Sequence, residues 1–143
     1  MDTNYAAREG RPQRTARAAS PGGVMRALRV GFWLALAVQV YVLYLYVPSA
    51  SGAVTIPHAD KAVHAAIFAV PALVGVLSGL RPWLVGLVLL VHAPVSEVVQ
   101  QVWIPGRSGE PWDVVADWAG VALAVAVAVA LRRRDPSRRQ APA

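Results

Sequence analysis

The 143-residue chain is 56% hydrophobic and only 15% charged, with a mean hydropathy of +0.44 and a net charge of +6. A soluble domain carries about a quarter charged residues because water must wet its surface, so this composition excludes an ordinary soluble domain and makes lipid part of the solvent. The absence of cysteine excludes a disulfide framework and a thiolate metal site, and the length allows one domain.

Residues 1 to about 23 hold Arg, Pro, Gly, Ser and Thr with almost no apolar clustering, and are expected to form a disordered basic tail. The first apolar span, Leu28 to Val47, is long enough to cross about 30 Å of hydrocarbon as a helix. Tyr41, Tyr44 and Tyr46 near its end read as an interfacial aromatic belt. Gln39, its lone strongly polar residue, reads as an interhelical hydrogen-bonding group. Ser51-Gly52-Ala53 resembles a signal-peptide cleavage site, but the apolar stretch exceeds a typical signal core, so a retained helix is the better reading.

Three further spans follow: Ala62 to Leu80, Trp83 to Val102 and Val114 to Leu131. Arg81-Pro82 alone separates the second from the third, which implies a tight antiparallel hairpin. Pro71 and Pro94 fall inside helices, where each removes a backbone bond and favours a kink. In the fourth span Gly120, Ala124 and Ala128 recur every four residues, a small-residue stripe suited to close helix packing. The expected fold is all-α, a polytopic four-transmembrane-helix bundle over residues 24 to 131, with a second basic tail at 132 to 143.

A pI near 10.8 would suit nucleic acid, but the charge is unevenly placed. Of 14 Lys and Arg residues, six fall between Arg8 and Arg29 and five between Arg132 and Arg139. Basic flanks around apolar spans follow the positive-inside rule, with anionic lipid and not nucleic acid as the partner. Both termini are therefore expected in the cytoplasm, in a multi-pass protein of the plasma membrane. Asp60, Lys61, Glu97, Arg107, Glu110, Asp113 and Asp117 then fall on the outer side.

Three segments supply an outer polar cluster. Asp60 and His64 lie four apart, on one face of the second span, as do Asp113 and Asp117 on the fourth. Asp60 and Asp113 also suit the free N–H groups of helix starts. Glu97 sits about 7 Å inside the third span, where an ionisable group must face the bundle interior and find a partner. Arg107, in the following loop, can bridge two carboxylates with its planar fork, or it can receive an anionic headgroup. His92 reads as a structural residue near Ser96, placed for a local hydrogen bond.

The series Asp60-Lys61-x-x-His64-x-x-x-Phe68, Ser96-Glu97-x-x-Gln100, Pro105-Gly106-Arg107-Ser108-Gly109 and Asp113-x-x-x-Asp117-x-x-Gly120 resembles the VanZ-like membrane protein family over about residues 28 to 131. The resemblance implies a small four-helix protein of the bacterial cell envelope, in a family named from glycopeptide-antibiotic resistance clusters. It also implies family positions at Asp60, Lys61, His64, Glu97, Gln100, Arg107, Asp113, Asp117 and Gly120. Trp118 and Ala119 depart from the small polar residues often found there.

The preferred functional reading is a non-enzymatic protein that binds an amphipathic or lipid-linked ligand, such as a cell-wall precursor or glycopeptide-type antibiotic, at the outer leaflet. No cofactor and no metal enter that reading. A membrane-embedded hydrolase or transferase is the alternative, with His64, Glu97, Asp113 and Asp117 as base or metal ligands. The absence of His-Glu-x-x-His and Gly-x-Ser-Gly patterns counts against it. A small transporter or scaffold subunit, working as a homo-oligomer through the Gly120 stripe, is the third.

Overall fold

A computed structural model describes residues 20–46, 59–107 and 109–134. They form four α-helices and no strand. Helix α1 spans Pro21–Val40 and continues as a π-helical turn, Tyr41–Leu45. Helices α2, α3 and α4 span Ala59–Leu77, Pro82–Trp103 and Pro111–Arg134. Each is long and apolar enough to cross a membrane, which makes the chain a multi-pass membrane protein. Much of the tail sequence and Ser51–Ala53 lie outside the described residues, and the expectations placed on them go with it.

Lipid is written on the outer surface of the helices. Leu123 is 68% exposed and Leu34 61%, with Val88, Val91 and Val127 also outward. Exposed aliphatic area on this scale is unfavourable in water by about 25 cal/mol per Å², a cost that a hydrocarbon solvent removes. The inward core is modest and small-grained: Leu43, Phe68, Ala72, Val76, Val85, Leu89, Ala93, Val121, Ala124 and Ala128.

The helix ends correct several expected boundaries. Helix α1 starts about two turns before Leu28, because Ser20 Oγ accepts the Gly23 N–H at 3.3 Å and Pro21 occupies the first helical turn. Residues 21–23 are therefore helical and do not belong to the tail. Helix α2 stops at Leu77, short of Leu80. Gly79 takes a left-handed φ of 102°, while the Leu80 and Gly79 N–H groups return to the carbonyls of Gly75 and Val76. This is a Schellman closure, open to glycine at little cost. The hairpin link is thus Ser78 to Arg81, and Pro82 already belongs to α3. Arg132, near the end of α4, donates to the Val76 and Leu80 carbonyls at 3.3 and 3.2 Å and ties the basic end shut.

Helix α4 packs chiefly on α2 and less on α3. The expected stripe of Gly120, Ala124 and Ala128 is buried in this contact. A Cβ added to Gly120 would collide with the Ala65 backbone of α2, so the stripe serves packing inside one chain and is not a surface for a second copy. Gln39 is also buried, but neither of its amide atoms has a partner among the described residues, where an interhelical hydrogen bond is expected of it.

Gly120→Val should force α2 and α4 apart and lower stability by about 3 kcal/mol, read as a loss of melting temperature in detergent. Gly86→Ala, where an added Cβ meets nothing within 4 Å, should leave it unchanged or raise it by about 0.5 kcal/mol.

Candidate functional site

The polar residues of α2, α3 and α4 meet at the end of the bundle opposite Arg132. The start of α2 contributes Asp60, Lys61 and His64; the end of α3 contributes Glu97 and Gln100; the start of α4 contributes Asp113 and Asp117. The three-residue spacing of Lys61 and His64 and the four-residue spacing of Asp113 and Asp117 put each pair on an inward-turned helix face.

Lys61 is the central cation. Its ammonium donates to Asp60 at 2.9 Å, Glu110 at 3.0 Å and Asp113 at 2.9 Å, one proton for each carboxylate. His64 is the second hub. Its Nδ1 lies 3.2 Å from Asp117 Oδ1 and 3.7 Å from Glu97 Oε1, and its Nε2 lies 3.8 Å from Asp113 Oδ2. Asp113 joins the hubs, one oxygen on Lys61 and the other turned to His64.

Glu97 and Asp117 are buried, at 6% and 0% exposure. Glu97 Oε2 accepts the Glu110 N–H at 2.9 Å, which folds the loop after α3 back over the site. Gly109 makes this fold possible, since a Cβ there would meet the Glu97 backbone carbonyl. Glu97 Oε1 and Asp117 Oδ2 have no hydrogen-bond donor among the described residues. An unpaired carboxylate oxygen at such burial is costly.

Arg107 does not bridge the carboxylates. Its guanidinium donates to the Val42 and Leu43 carbonyls, each at 3.2 Å, and Gln100 donates to Leu43 at the same distance. Those carbonyls lie in the π-helical turn that ends the first span, where the last carbonyls lack donors within their own helix. The helix terminus attracts the cation as well. Among the described residues no carboxylate lies within ion-pair distance of Arg107.

Further residues outside the predicted site add to the polar contacts. Glu110 serves through both its side chain and its N–H; its place three residues before Asp113 is the signal the sequence carries. Tyr44, read as a belt residue, has its hydroxyl 2.8 Å from His92 Nε2, while Phe68 stacks obliquely on the same imidazole at 5.5 Å. Ser96 bonds the Ala93 carbonyl and not His92. Trp118 donates its indole N–H to the Leu90 carbonyl at 2.9 Å. That carbonyl is free because its usual helical donor would be the nitrogen of Pro94.

Lys61→Met should leave Asp60, Glu110 and Asp113 facing one another without a counter-charge. A fall of several degrees in melting temperature, largely restored in Lys61→Arg, is the expected outcome in detergent. Equal melting of all three proteins would refute the role given to the ammonium.

No protein-family model, curated protein or solved structure matches the chain.

Proposed function

We propose that this protein binds an amphipathic, lipid-linked ligand by an anionic head group at the polar end of its bundle. The observation that carries this reading is the state of Arg107. Two of its five N–H donors hold the end of the first span, and no described carboxylate neutralises it. A half-buried guanidinium that is fixed in place but unpaired is suited to a phosphate, which it can meet with its remaining donors. Away from the polar end, toward Arg132, the groove between α3 and α4 lined by Trp83, Leu87, Leu90, Val121 and Val125 offers an apolar surface to a tail that extends along the bundle.

The basic tails favour the plasma membrane with both termini in the cytoplasm, which puts the polar end at the outer leaflet. A lipid-linked cell-wall precursor, or an antibiotic of the glycopeptide type, then has direct access. The resemblance to the VanZ-like family, resting on Asp60, Lys61, His64, Glu97, Gln100, Arg107, Asp113, Asp117 and Gly120, supports the same reading of an envelope protein linked to antibiotic resistance. A membrane-embedded hydrolase or transferase is the second reading, favoured by His64 standing among three carboxylates.

Two measurements test the proposal. The protein in nanodiscs should bind a polyprenyl diphosphate, and Arg107→Ala should weaken that binding by about tenfold, the range of one charge-assisted hydrogen bond. Inorganic diphosphate should bind much more weakly than the lipid, because it lacks the tail. Unchanged binding in a folded Arg107→Ala protein would end this reading. A reporter active only in the cytoplasm should work when fused to the carboxyl terminus; activity only from an outward-facing reporter would invert the topology.

A further inference from the structure

We infer that His64, Glu97 and Asp113 form a binding site for one divalent transition-metal ion, with Asp117 as the group that orients the imidazole. One ligand atom from each of the three residues lies within 4.8 Å of the others. Ligand atoms bound at about 2.1 Å around one tetrahedral ion lie roughly 3.4 Å apart, so each side chain must move inward by about an ångström to bring all three onto one ion. Three helices supply one ligand each, and the surrounding backbone is helical and fixed.

Two independent features point to an ion here and not merely to a cluster of acids. The first is a buried oxygen of a proposed ligand, Glu97 Oε1, which has no donor among the described residues. Glu97 Oε1 lies beside the same imidazole, 3.7 Å from His64 Nδ1. The second is the imidazole itself. With a proton on Nδ1, His64 donates to the fully buried Asp117 Oδ1 at 3.2 Å. Its Nε2 then presents a lone pair toward Asp113 Oδ2 at 3.8 Å, too long for a hydrogen bond. A lone pair facing a carboxylate across such a gap repels it, and a cation between them reverses the sign. Carboxylate–imidazole–metal relays are built in this way, the carboxylate fixing the tautomer.

A neighbouring triad provides an internal comparison. Asp60, Glu110 and Asp113 also present three oxygens within ligand distance of one another. That triad already holds a cation, the Lys61 ammonium, at 2.9 to 3.0 Å. The His64 side of Asp113 has no lysine or arginine among the described ion pairs. One imidazole with two carboxylates suits Zn²⁺ or Mn²⁺ better than Mg²⁺ or Ca²⁺, which favour all-oxygen shells.

The inference stands apart from the lipid reading, because its test contains no lipid-linked ligand. The full-length protein in detergent is dialysed against Zn²⁺, and separately Mn²⁺, and bound metal is counted by mass spectrometry. One ion per chain is expected, with His64→Gln and Glu97→Gln each weakening binding by more than tenfold. Asp117→Asn should weaken it by about 10- to 100-fold through the imidazole. Glu110→Gln, confined to the Lys61 triad, should stay within threefold. Co²⁺ gives a readout that needs no variant, since imidazole and carboxylate ligands should intensify its visible absorption over the aqueous ion. Less than one-tenth of an ion per chain, an aqueous Co²⁺ spectrum, or binding that folded His64→Gln and Glu97→Gln proteins retain would each overturn the site.

Discussion

The carboxylate of Asp113 is the joint on which the polar end turns. One oxygen receives a proton from Lys61, and the other faces His64. Hydrocarbon cannot solvate an ionised side chain, and at mid-bilayer depth each one costs roughly 3 kcal/mol on insertion scales. The acids of α2, α3 and α4 therefore have little choice but to gather around whatever hydrogen-bond donors the bundle supplies. Lys61 and His64 lie on successive turns of α2, so a single helix face organises carboxylates drawn from the other two helices and from the loop.

That gathering depends on how closely α2 and α4 approach. Gly120 lies against the Ala65 backbone, next along the chain from His64 and one turn below Asp117. The contact between His64 and Asp117 at 3.2 Å exists because nothing at Gly120 holds the helices apart. Small residues and buried charge are thus parts of one arrangement: close packing of backbones in the apolar layer sets the reach of side chains in the polar layer.

The gross fold could be read from residue order alone. Four apolar spans, the hairpin after the second and the inward side of the Asp113–Asp117 face all follow from hydropathy and from a period near four. Glu97 is buried, as its depth requires, and one of its two oxygens takes the Glu110 N–H. The errors have a common physical origin. Arg107 was assigned to carboxylates because opposite charges attract, yet the end of the first span offered bare carbonyls, and sequence does not show where a helix leaves its acceptors. Tyr44 and His92 are 48 positions apart, and no local pattern joins them. Ser20-Pro21-Gly22-Gly23 reads as loop by composition, but its serine caps a helix.

The indole of Trp118 and the ring of Pro94 have an evolutionary consequence. Proline in α3 strips the Leu90 carbonyl of its own-helix donor, and tryptophan from α4 supplies a replacement. The two positions are therefore epistatic. Loss of the tryptophan strands a polar oxygen only where proline is retained, whereas restoring an ordinary amide at position 94 first frees the aromatic residue to vary. Mutational paths through this pair have a preferred order, with the proline exchanged before the tryptophan.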